Sequence, residues 1–116
     1  MCDPDNLDFE SRIPKVLSRL DTEINSRPSS STSNSKKPTT TTTTTVIFCL
    51  QEVSYEWSGR LHAFFANRGY HMITELYGKR FNNYMGVAMA YPLDAFETEL
   101  VDVVRLSDVR EGGWPR

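Results

Sequence analysis

Glu52 is the residue whose position most suggests chemistry. It lies near the end of VIFCLQEV, residues 46–53, a short and continuous apolar run dense in strand formers. Such a run reads as a strand covered on both faces, the best candidate for a central strand. Period-two parity then sets Glu52 on the same face as Val46, Phe48 and Leu50. An ionised carboxylate beside an apolar interior is costly unless a cation, a positive side chain or hydrogen-bond donors receive it. Ligands of α/β sheets also gather beyond the carboxyl ends of strands. Two outcomes are open: Glu52 contacts a metal or substrate, or it leaves the strand's exit for water or a lysine.

Other polar residues point less clearly to chemistry. His62, expected on a helix, and His71, expected on a strand, share no metal-ligand spacing with each other or with Cys2 and Cys49, and read as satisfied or solvent-exposed histidines. Cys49, inside the apolar run, reads as a small buried hydrophobe and Cys2 as an exposed thiol. Lys79 and Arg80 fall in GKRFNN, residues 78–83, where a charged turn is ordinarily solvated; contact with a substrate phosphate is the functional alternative. Asn82 and Asn83 read as turn residues. Trp57, Phe64 and Phe65 stand at helical spacing, as core side chains do, rather than as a base-stacking platform.

The elements that must hold these residues follow from periodicity. Ile13, Val16, Leu17, Leu20 and Ile24 recur at steps of three and four, so a helix runs along them. Asp8 or Ser11 can cap it, and Pro14 fits only the first turn, which starts the helix near residue 11. Residues 26–45 contain no large apolar side chain and end in seven threonines, so they read as a disordered insertion that includes Lys36 and Lys37, a β-strand of the threonines being the alternative on propensity alone. After the strand at 46–53, Ser54 can cap a second helix carrying Trp57, Leu61, Phe64 and Phe65, with Gly69 as its left-handed stop. Residues 70–77 and 84–91 then read as two strands joined by GKRFNN, with Pro92 ending the second. LVDVVRL at 100–106 reads as a further strand. Strands mixed with helices, without an internal repeat, favour an α/β or α+β layered domain.

Composition bounds the rest. A chain of 116 residues holds at most one domain. The net charge of -2 supplies no general attraction for nucleic acid, so any such contact must be local. No apolar stretch reaches the length of a membrane helix, and MCDPDNLDFE has no signal-peptide pattern, which makes a cytoplasmic or nuclear setting the default expectation.

CLQEV at 49–53, between one helix and another containing Trp57, resembles the LQE strand of the endonuclease/exonuclease/phosphatase superfamily. YMGVAMAYP at 84–92 is similar to that superfamily's strand in which a Tyr two residues before a Gly-Val pair faces the scissile phosphate. RIPKVLSRLDTEI at 12–24 and GRLHAFFANRGY at 59–70 fit the same early order. The resemblance implies an α/β fold, a four-layered αβ sandwich whose mixed sheet has flanking helices, with residues 1–116 forming the N-terminal part of one domain. It implies hydrolysis of phosphate esters with Mg2+, or Mn2+ as substitute, Glu52 as metal ligand and Tyr84 as a catalytic contact to the phosphate. The implied partner is a phosphate-ester substrate, with nucleic acid among the candidates. The superfamily's Asn-bearing first strand, its Asp-x-Asn pair and its closing Ser-Asp-His segment have no match here; Ser107-Asp108 precedes Val109 and lies too early. The expected molecule is thus a fragment in which Glu52 alone does not sustain turnover. The competing class is a non-catalytic interaction module or inactive truncated product, with Glu52 structural.

Overall fold

The computed structural model describes residues 8–26, 45–80 and 83–104. The expectations for Cys2, for residues 27–44 of the insertion, for Asn82, and for residues 105–116 with Ser107 and Asp108 lie outside the described residues.

Helix α1, Phe9–Asn25, forms where the three-four spacing places it, burying Ile13 and Leu20 and packing Val16, Leu17 and Ile24 on the core. It begins earlier than Pro14 suggests. Asp8 is the N-cap residue without a side-chain capping bond, and the Arg12 N–H already donates to the Asp8 carbonyl at 3.1 Å. Pro14 therefore lies beyond the first turn, where its missing N–H deprives the Glu10 carbonyl of its helical donor.

Strand β1, Phe48–Val53, leads through Ser54 into helix α2, Tyr55–Ala66. Ser54 caps α2 as its sequence position suggests: its hydroxyl accepts from the Trp57 N–H at 3.5 Å. Gly69 ends the turn after α2 at φ +72, the left-handed conformation glycine adopts without a Cβ penalty. Arg68 fastens this end of α2 to α1, since its Nε donates to Asp21 Oδ1 at 2.7 Å while its guanidinium lies over the Phe64 ring. Strands β2, Tyr70–Leu76, and β3, Gly86–Pro92, complete the sheet.

The strand order is β1-β3-β2, and both ladders are antiparallel. Helices layered on a sheet make this a small α/β fold, as the sequence pattern suggests, but the described sheet is antiparallel where a mixed one was expected. β3, not β1, is the middle strand. Among the described residues β1 is an edge, and its side chains alternate: Phe48 and Val53 are buried, Leu50 is half-buried, and Cys49, Gln51 and Glu52 are exposed. Cys49 is consequently an exposed thiol rather than a buried hydrophobe. A strand that looks fully apolar in sequence has only one covered face here, because the helices that do the covering lie on one side.

The core sits between that face and the helices. Phe65, with 0% exposure, is its centre, its ring 5.4 Å from Phe48, 5.3 Å from Phe64 and 5.6 Å from Tyr70. Met72, Ala88 and Ala90 floor it from the sheet. On the opposite face Ile47, Val87 and Met89 remain close to half exposed. Residues 100–104, expected as a strand, have no regular structure. They border this outer face, sharing a cavity of about 520 Å³ with Cys49, Ile73, Val87 and Met89.

Candidate functional site

The β1–β3 ladder breaks at Glu52. Gln51 pairs with Val87 and Val53 with Gly86, so Glu52 is an extra residue without a partner, in a β-bulge at φ +56. A bulge re-aims a side chain, and this one resets the parity of the strand: Val53 takes the inward position while Glu52 turns out and is exposed. The expectation that Glu52 shares the covered face of Phe48 and Leu50 is corrected by that extra residue, which period-two counting cannot see. Its conformation is costly instead, since a left-handed non-glycine residue is strained by about 1–2 kcal/mol.

Asn83 and Tyr84 share this conformation, each at φ +52, and with Glu52 they are the non-glycine residues of positive φ among those described. All three gather at one end of the sheet. Val53 pairs with Gly86, two positions beyond Tyr84, and the Tyr55 N–H donates to the Asn83 carbonyl at 3.1 Å. Tyr84 precedes β3 instead of belonging to it, because the chain is still turning there: its N–H donates to the Lys79 carbonyl at 3.3 Å. Its side chain is 44% exposed.

A cavity of about 280 Å³ opens at this end, lined by Arg12 of α1, by Gln51 and Glu52 of β1, by Ser54 and Trp57 at the start of α2, and by Met85. Val16, Leu50, Val53 and Leu61 give it an apolar floor. Met85, rather than Tyr84, is the lining residue from the segment before β3. The Arg12 guanidinium lies over the Trp57 ring at 5.7 Å from its centroid, and Phe9 meets the same ring edge-on at 5.5 Å. Sequence reading overlooked Arg12. A signal was present, since Arg12 stands four residues before Val16 and so borders the apolar stripe of α1.

The remaining candidates lie elsewhere. His62 Nε2 is 2.8 Å from Thr74 Oγ1 at an exposed position, and His71 packs edge-on against Tyr91. Neither histidine lines the cavity. Lys79 and Arg80 belong to the turn before β3, where their carbonyls receive the N–H groups of Tyr84 and Asn83. Phe64 and Phe65 are core, as their spacing indicates, and Trp57 is partly buried at the edge of that core.

Among the described residues no three His, Cys, Asp or Glu side chains converge as metal ligands, so a closed nitrogen and sulfur cage of the zinc type does not fit. Glu52 as a single exposed carboxylate does fit a hard divalent cation, which keeps several waters and takes one or two protein carboxylates. No described helix is long and apolar enough to cross a membrane. Comparison with protein-family models, with curated proteins and with solved structures gives no match for this chain.

The strain at Glu52 has a measurable signature. Glu52→Gly is expected to leave the fold as stable as before or up to about 1 kcal/mol more stable, because glycine accepts the left-handed backbone and its larger unfolded entropy offsets part of that gain. Urea unfolding of the two proteins reads the difference. A clear loss of stability would show that the glutamate side chain itself holds the bulge together.

Proposed function

We propose that this chain is part of a magnesium-dependent phosphoesterase, with the end of the sheet around Glu52 as the metal-anchoring portion of its site. The observation that carries the reading is Glu52 itself: a carboxylate held in a strained left-handed bulge and presented at a cavity that also has a cationic lining residue. Backbone strain of this kind persists where the surroundings over-determine it, and it concentrates at catalytic and ligand-binding positions. The resemblance of CLQEV and YMGVAMAYP to the endonuclease/exonuclease/phosphatase superfamily supplies the reaction class.

In this reading Glu52 holds Mg2+, or Mn2+ in its place, through one carboxylate. The bound ion supplies polarisation of the phosphoryl oxygen and orientation of the attacking water. Tyr84, at the same end of the sheet, donates its hydroxyl to a phosphate oxygen as charge grows there. Among the described residues neither a histidine nor a second carboxylate lines the cavity, so Glu52 acts as an anchor and not as a complete catalytic set.

The test is a Mn2+ titration of the 116-residue chain followed by paramagnetic broadening of its amide resonances. Broadening should centre on residues 51–54 and weaken at least about ten-fold in affinity for Glu52→Gln, a loss of the size seen when groups supporting a metal are changed. Equal broadening in parent and variant would remove Glu52 as the metal ligand. The second reading, a non-catalytic interaction module, draws on a different observation, the half-exposed Ile47, Val87 and Met89 of the sheet's outer face. It gains if Mn2+ leaves the spectrum unchanged.

A further inference from the structure

We propose that Arg12 is the phosphate-binding residue of the cavity beside Glu52. The inference deepens the phosphoesterase reading and rests on it.

Arg12 and Glu52 reach the cavity from different elements, one from α1 and the other from the bulge of β1. A carboxylate alone would repel a phosphate; a guanidinium in the same cavity cancels that repulsion and adds donors. The Arg12 guanidinium lies 5.7 Å from the centroid of the Trp57 ring, which Phe9 meets edge-on. A guanidinium offers a planar fork of N–H donors for two parallel bonds to phosphate oxygens, the geometry that distinguishes Arg from Lys. Ser54, the N-cap of α2, lines the same cavity, and its hydroxyl, which accepts from the Trp57 N–H, keeps its own O–H to donate.

About 280 Å³ accommodates a phosphoryl group and its immediate waters, and the charges that line it, one guanidinium beside one carboxylate, suit a phosphate bound together with a cation.

Inorganic phosphate is the probe, titrated into the 116-residue chain with and without Mg2+ and read by Trp57 fluorescence in a Trp114→Phe background, since the chain has two tryptophans. The parent should respond saturably, with tighter binding when Mg2+ is present. Arg12→Ala should weaken phosphate about ten-fold or more under both conditions, the scale of charge-assisted bonds to an anion, and Arg12→Lys should fall between, because it keeps the charge and loses the fork. Far-UV circular dichroism of both variants establishes that they are folded, and Arg12→Lys carries the test if Arg12→Ala is not. Glu52→Gln should lose only the Mg2+-dependent gain. Unchanged affinity in a folded Arg12 variant, or no Trp57 response in the parent, overturns the assignment. Arg12-dependent binding without any Mg2+ effect preserves it while removing the metal reading of Glu52.

Discussion

Replacing Phe65 by alanine is expected to remove about 3–5 kcal/mol of folding stability, the usual cost of deleting a buried aromatic ring. Phe65 has no exposed surface, and the rings of Phe48, Phe64 and Tyr70 surround it, contributed by β1, α2 and β2. Three elements would lose their common contact at once. The Tyr70 hydroxyl, buried without a hydrogen-bond partner among the described residues, adds to the strain of any rearrangement, because collapse into the vacated space must also accommodate that polar atom. Domains this small hold stability near the low end of the usual ~5–15 kcal/mol, so the variant should be largely unfolded at 37 °C. Chemical denaturation monitored by circular dichroism measures the effect. A loss below about 1.5 kcal/mol, the range of volume-conserving swaps, would mean the core is centred elsewhere.

The second large effect is expected at Gly86. A Cβ built there would overlap the Glu75 carbonyl oxygen and lie 2.8 Å from the Leu76 Cα, both backbone atoms of a paired strand that cannot rotate away. Gly86→Ala should therefore separate β2 from β3 at the site end of the sheet and cost about 1–3 kcal/mol or more, the range for overpacking. The damage should extend to function. Gly86 pairs with Val53 on one side and with Leu76 on the other, and Met85 beside it lines the cavity. Amide hydrogen exchange should show lost protection in residues 74–76 and 86–88 before the distal ends of the strands. Unchanged protection there would show that the sheet admits a methyl group at this position.

Much of the fold is legible from periodicity. The stripe of α1, the Ser54 cap, the aromatic face of α2, the Gly69 stop and the two later strands each follow from local rules of spacing and backbone freedom. What fails has a common cause. Whether a strand lies in the middle or at an edge is decided by its neighbours, and an apolar run such as FCLQEV carries no record of them. The bulge at Glu52 is invisible for a related reason: an inserted residue changes register without changing composition. Glu52 attracts notice because carboxylates are rare beside apolar runs, whereas the feature that now distinguishes it is its φ. Arg12 escapes notice because a surface arginine on an amphipathic helix looks like solvation until Trp57 is placed beneath it.

The position of β3 between β1 and β2 has a bearing on how the chain comes together during synthesis. β1 and β2 leave the ribosome before β3, yet among the described residues neither bonds to the other; each pairs with β3. β2 ends at Leu76 and β3 begins at Gly86, so their pairing closes over less chain than that of β1, which must be recovered across α2 and all of β2. The ladder between β1 and β3 is thus the late, long-range event of assembly. Glu52 acquires its unpaired position only when Val53 finds Gly86, so the carboxylate is set at the cavity by the long-range ladder and not by the β2–β3 hairpin.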